Sequence, residues 1–271
     1  MSEQYTRRVT LGMLAAAFGA GLAQGVRAAE SAKDVSRPGI FPRDFLAKSS
    51  VTSLTARSHA MTILYPAGDG IKFDPDYYRD HHLKLIMGLY GGSIKRFELR
   101  TAAAESKFSA AVNIWIADFD AFNANNTKHG PELVADVHNF TNSQPTIQFD
   151  EVHGMMGSPA SAMKIGDTCL TILYPNSEGV RWDVEYYRMH HMPLIMGLYG
   201  KDAIKRFELR KGASDQKGGS PPYIGAVNIY INDQKAFDAA GAKHGKTLVA
   251  DVPHFSSVMP VAFPTILHGI G

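Results

Sequence analysis

Along the chain the apolar residues change period in a fixed order, and that order occurs twice. Met61 to Tyr65 is a short β-favouring run closed by Pro66 and Gly68, which predicts a strand. Asp74-Pro75 supplies a helix cap followed by proline at the first helical position, and the helix is expected to stop at Gly91 or Gly92. Ile94 to Ala102 and Phe108 to Ala117 alternate as a strand pair. Asp118 opens a second helix reaching Val137, and Thr146 to His153 makes a last strand. In the second copy Asp183 takes the place of the first cap.

The duplication is visible residue by residue. Thr62-Ile63-Leu64-Tyr65-Pro66 returns as Thr171 to Pro175 and Ile86 to Gly91 as Ile195 to Gly200, both at an offset of 109. Ile94 to Arg100 returns as Ile204 to Arg210 at an offset of 110, and Leu133 to Val137 as Leu248 to Val252 at 115. The added residues fall in Lys211 to Pro222, whose Gly, Ser and Pro content suits a hairpin loop that tolerates insertion. The order β-α-β-β-α-β is the ferredoxin-like plan, an antiparallel sheet with both helices on one face. The other face needs a partner sheet, which a tandem copy supplies in one chain. The expected fold is therefore α+β, two tandem ferredoxin-like units pairing as an intramolecular dimeric barrel. Expected boundaries are an export signal at 1–29, an irregular lead-in at 30–58, repeat 1 at 59–155, a linker at 156–166 and repeat 2 at 167–271.

Composition narrows the class. With 271 residues, 45% hydrophobic and 20% charged, the chain can bury two real cores. A formal net charge of +2 gives no nucleic-acid footprint. Arg7-Arg8 ahead of the apolar run Leu11 to Ala23, with Val26-Arg27-Ala28 as a cleavage region, reads as a twin-arginine-type signal, hence a periplasmic or secreted protein. That run is short of the roughly 20 residues a membrane-crossing helix needs, and no later segment approaches that length. Cys169 is the sole cysteine and aligns with Ala60, so it reads as a small buried hydrophobe.

Two spaced motifs carry a family resemblance. Tyr186-Tyr187-Arg188-Met189-His190-His191-Met192-Pro193-Leu194, with its His-x-Pro-Leu core, and Asp251-Val252-Pro253-His254-Phe255 together resemble the EthD pattern. The first copy has Tyr77 to Leu85, with Lys84 in the proline position, and Val137-His138-Asn139-Phe140, so it departs from the pattern at that proline. The resemblance spans essentially all of the mature chain, once per repeat. It implies an α+β barrel built by pairing units and a role in small-molecule breakdown or tailoring. In fold such proteins resemble cofactor-free monooxygenases, muconolactone-type isomerases and polyketide cyclases, dehydratases and decarboxylases, and fold does not choose among these.

Tyr78, His82, Leu85, Ile86 and Leu89 share one helical stripe, as do Tyr187, His191, Leu194, Ile195 and Leu198. His82 and His191 are therefore the candidate acid–base residues, the alternative being histidines that only satisfy a backbone carbonyl. Tyr65 and Tyr174 at the strand ends are candidate phenolic partners, and Tyr78, Tyr187, Tyr90 and Tyr199 candidate ligand contacts. Asn113 with Trp115, and Asn228 with Tyr230, pair an amide and an aromatic ring on one strand face, which suits an aromatic ligand or plain core. Arg96, Glu98 and Arg100, repeated as Arg206, Glu208 and Arg210, predict a paired-charge network inside the barrel, or else an anion clamp. His81 and His190 fall on the flank, and the recurring His129, His244, His153 and His268 read as capping and edge polarity. No metal site is expected, and no G-x-G-x-x-G, P-loop, G-x-S-x-G or H-E-x-x-H occurs. Three readings remain: an isomerase, lyase or cofactor-free oxygenase working by proton transfer, a ligand-binding accessory protein, and a haem or metal barrel. Repeat 1 pairs with repeat 2 in each, and a further homodimer would be a pairing of two such barrels.

Overall fold

The computed structural model describes residues 58–103 and 105–271. The expected export signal and nearly all of the lead-in lie outside these residues. Two βαββαβ runs follow each other. The first comprises β1 (Ser58–Pro66), α1 (75–90), β2 (Ile94–Ala102), β3 (Phe108–Ile116), α2 (Phe119–Asp136) and β4 (Thr146–Gly157). The second comprises β5 (Thr168–Pro175), α3 (184–203), β6 (Ile204–Asp215), β7 (Tyr223–Ile231), α4 (Gln234–Phe255) and β8 (Val261–Ile270).

The caps behave as their residue types dictate. Asp74 accepts from the backbone N–H groups of Asp76 and Tyr77, both at 3.0 Å, and Asp183 accepts from Tyr186. Neither first helix is regular. Each begins with a short turn, passes through a π turn (Tyr78–His82 and Tyr187–His191) and only then becomes α-helical. The wider turn brings the tyrosine and histidine four residues apart over each other, with ring centroids at 4.9 and 4.8 Å. Gly91, at φ 51°, then turns the chain out of α1, and Gly200, at φ 76°, kinks α3 near its end, both in a conformation that other residues enter at a cost.

All strand pairs are antiparallel, and the eight strands close in the order β1-β3-β2-β8-β5-β7-β6-β4. Each unit contributes the order 4-1-3-2, and two seams join the units, β2 with β8 and β4 with β6. A lone unit would leave two open edges. The tandem copy pairs both, so the sheet has none.

Strand alternation sorts the side chains into layers. Ile63, Tyr65, Leu99, Val112 and Ile114 face α1 and α2, and Ile172, Tyr174, Leu209, Val227 and Ile229 face α3 and α4. The opposite faces meet inside the barrel, where small apolar groups such as Ala111, Ala226, Leu64 and Leu173 pack with a charged layer. The charged strands do form the network expected from the sequence. Arg210 is fully buried and donates from Nε to Glu208 Oε1 at 2.6 Å and from Nη1 to Asn113 Oδ1 at 3.0 Å. Arg100 reciprocates across the barrel, donating to Asn228 Oδ1 at 2.8 Å and to Cys169 Sγ at 2.9 Å. Trp115 Nε1 donates to Glu208, and the Tyr230 hydroxyl to Glu98. Removing one member would strand a buried charge, a loss of about 3–5 kcal/mol, so the layer holds the two repeats in register.

Candidate functional site

His82 and His191 are both buried, at 4% exposure, between their helix and the sheet. Each is held by an acid on the second helix of its unit. His82 Nδ1 lies 2.8 Å from Asp136 Oδ2, and His191 Nδ1 lies 2.7 Å from Asp251 Oδ2. The other carboxylate oxygens accept from Tyr77 and Tyr186 at 2.9 and 3.0 Å. Each unit thus carries a tyrosine–aspartate–histidine chain. Burial would raise the Asp251 carboxyl, but its hydrogen bond and attraction to His191 hold it below the ordinary aspartate value. Asp136 is lowered against burial in the same way, by Asn139, His82 and Tyr77. Burial lowers His82, and Asp136 offsets this only in part, so His82 is a neutral ring donating its Nδ1 proton to the carboxylate. The carboxylate geometry assigns the same tautomer to His191. Nε2 is then the basic nitrogen, and among the described residues nothing hydrogen-bonds to it in either ring.

Around His191 the structure is hollow. A partly enclosed cavity of about 220 Å³ lies between α3, α4 and the sheet of repeat 2. Leu170, Ile172, Ile195, Ile229, Leu248 and Val252 make most of its wall, and Tyr174, Tyr187, Tyr199, His191 and Asp238 are its polar groups. Gly241 and Gly245, one turn apart on α4, keep the wall thin. The Tyr187 hydroxyl is buried without a hydrogen bond of ordinary geometry, and the Tyr174 phenol is its polar neighbour. Burial, and then the neighbouring Tyr174 phenol, push its pKa well above the ordinary tyrosine value, so it remains a proton donor. Burial raises Tyr174 likewise.

The residues expected to share a site fall into two places. His191, Tyr187, Tyr174 and Tyr199 converge on the cavity. His82, Tyr78, Tyr65 and Tyr90 make the matching cluster in repeat 1, where Tyr65 lies 5.7 Å from Tyr78, ring to ring. Asn113, Asn228, Trp115 and Tyr230 stand apart from both, because their strand faces look into the barrel and their polar atoms serve the charged layer. His81 and His190 are exposed beside Tyr77 and Tyr186, at ring distances of 4.7 and 4.8 Å. His153 and His268 pair with acids, His153 with Glu151 and His268 with Asp76 at the seam of the two units. Sequence reasoning assigned no role to Asp136 or Asp251. Their signal was present, since both lie in the repeated stretch Leu133–Val137 and Leu248–Val252. Gly241 carried no such signal, because only one repeat has it.

Neither a comparison with protein-family models nor one with curated proteins finds a match. Solved structures are similar in fold. A candidate monooxygenase from Fusobacterium nucleatum superposes with a TM-score of 0.54 at 11% identity, covering 80% of this chain and 95% of its own. An anthrone oxidase-like protein gives 0.49 at 11%, covering 82% and 95%. An EthD-like protein from Ralstonia eutropha JMP134 gives 0.34 at 25% identity, over 37% of this chain and 91% of its own. The chain is a dimeric α+β-barrel protein by fold.

Among the described residues no group of three or more His, Cys, Asp or Glu side chains gathers as a metal site, and no helix is long and apolar enough to cross a membrane. A haem does not fit the cavity beside His191. Ligand pockets for drug-sized molecules run from about 300 Å³ upward, against about 220 Å³ here, and the wall carries the acid Asp238 and no lysine or arginine to pair with propionates.

Proposed function

We propose that this is an EthD-like protein that binds a small, neutral, largely apolar molecule in the repeat 2 cavity and moves a proton on it with His191. The observation that carries the reading is the pairing, on the wall of one cavity, of a histidine whose Nδ1 is committed to Asp251 with a buried Tyr187 hydroxyl whose polar neighbour is the Tyr174 phenol. His191 Nε2 takes a proton from an acidic O–H or C–H of the ligand, and Asp251 stabilises the imidazolium that forms. The Tyr187 hydroxyl, kept protonated by its raised pKa, donates to the oxygen on which negative charge develops. An aromatic phenol or ketone with one oxygen near the ring fits these groups, in an isomerisation, an elimination or a cofactor-free oxygenation. The twin-arginine-type leader supports a periplasmic or secreted location, to be tested by replacing Arg7-Arg8 with lysines and following the protein by cell fractionation.

The test is turnover of a panel of hydroxyarenes and aromatic ketones by the wild type and by His191→Ala. Loss of turnover in a folded variant is the expected result. Binding without any chemical change, and no bell-shaped pH dependence, would replace catalysis with the accessory-protein reading.

A further inference from the structure

The two histidine chains stand on matching scaffolds, but the space in front of them does not match. In repeat 2, Gly241 sits opposite Tyr199, and a β-carbon added there would come within 3.4 Å of the Tyr199 hydroxyl. That hydroxyl makes no hydrogen bond to any described residue, and Tyr199 is half-buried. In repeat 1, Asn126 occupies the position of Gly241, and the Tyr90 hydroxyl donates to its Oδ1 at 3.0 Å. Asn125 Nδ2 adds a bond to the Tyr90 carbonyl at 3.2 Å, and Tyr90 is only 4% exposed.

The strand behind this contact is also heavier in repeat 1. Phe149 takes the place of Pro264, with its ring 5.8 Å from Phe119 and 6.2 Å from Phe122, and Ile147 takes the place of Ala262. In repeat 2, Gln234 aligns with Phe119, so that ring is missing there. A side chain that is present in one copy and absent from the other fills or frees the same volume.

We propose that the chain holds one ligand rather than two: repeat 2 receives it, and repeat 1 is closed by its own Asn126, Tyr90 and Phe149. This rests on the reading of the His191 cavity as a ligand site. The ligand class is a neutral one- or two-ring phenol or ketone, since the wall is largely aliphatic and carries the acid Asp238 but no lysine or arginine to balance an anion. Repeat 1 keeps its histidine chain as a strut tying α1 to α2, and its strands complete the barrel.

The experiment is a titration of the full mature chain with 2-naphthol, followed by calorimetry and by naphthol fluorescence. One saturable equivalent per chain is expected, weakened at least about tenfold by Gly241→Asn, which copies the residue the sister helix already carries. The double variant Asn126→Gly/Phe149→Ala is expected to take up a second equivalent, with circular dichroism confirming the fold of each. Two equal equivalents in the wild type, binding that survives Gly241→Asn, or no saturable binding overturns the proposal. Turnover is a separate readout: one blocked site with turnover indifferent to His191→Ala upholds single-site binding and removes the catalytic reading.

Discussion

Repeat 1 and repeat 2 share strand order, caps, a π turn and a tyrosine–aspartate–histidine chain whose distances agree to within 0.1 Å. They differ at the wall. Tyr90 is tied down by Asn126, while the Tyr199 hydroxyl faces only the bare backbone of Gly241. Identical acid–base geometry can therefore sit in a filled core in one copy and on a cavity in the other, so the histidine chain alone does not identify the working half. What differs is side-chain volume several residues away, on a helix and strand that the motif does not include. The barrel interior carries a second asymmetry. Asp150 is buried near Arg210 in one half, and Thr265 takes its place in the other, where Arg100 meets Cys169 and Asn228 instead.

The largest expected effect separates the two histidines. His191→Ala should lower turnover by about 10²–10⁴, the usual contribution of a positioned general base. A loss of equal size in His82→Ala, measured on a folded variant, would mean that both halves work.

The interior asymmetry has a pH signature. Burial raises Asp150 from 3.8 to about 6, with Arg210 pulling it back only in part. Between those values the folded chain keeps a proton that the unfolded chain has released. The contribution of Asp150 is therefore greatest below the unfolded value and is lost as pH rises towards 6, by about 3 kcal/mol in all. Denaturant titrations from pH 4 to 7 should show this fall in the wild type and a flatter curve in Asp150→Asn. Parallel curves would place the proton elsewhere.

Cavity filling gives a smaller effect. Phe149→Ala removes a half-buried ring from the closed side and should cost about 2 kcal/mol in urea unfolding. Pro264→Ala, at the matching position in repeat 2, removes no aromatic ring and should cost less, and equal losses would contradict the packing difference.

The smallest effect is the sharpest contrast. Tyr78 and Tyr187 both have buried hydroxyls that make no hydrogen bond of ordinary geometry, beside the phenols of Tyr65 and Tyr174 respectively. Tyr78→Phe should leave stability unchanged or raise it by about 1 kcal/mol, because an unsatisfied polar atom is removed. Tyr187→Phe should do the same for stability while weakening 2-naphthol binding about tenfold, the value of one hydrogen bond to the ligand. Unchanged affinity would remove Tyr187 from the oxygen-binding role.

The barrel was legible along the chain because repetition and period are local properties. Asp74-Pro75 and Asp183 start helices wherever they occur, and Arg96, Glu98 and Arg100 must share a face in any strand. The same reasoning reached His82 and His191 through their helical stripe. It left the amide and aromatic pairs open between ligand contact and core, because alternation says that Asn113 and Trp115 share a face without saying which face is the barrel interior. It also passed over Asp136 and Asp251, which lie 54 and 60 residues from their histidines.

Periodicity, caps and the doubled motif are written in neighbouring residues, so the linear chain was enough to specify two βαββαβ units, their antiparallel pairing and a histidine on the inner side of each first helix. Which half has room for a ligand depends on whether Asn126 meets Tyr90 and Phe149 meets Phe122. Those contacts join residues 36 and 27 positions apart. Packing volume is a property of the atoms brought together from distant segments, and it exists only once the helices lie on the sheet.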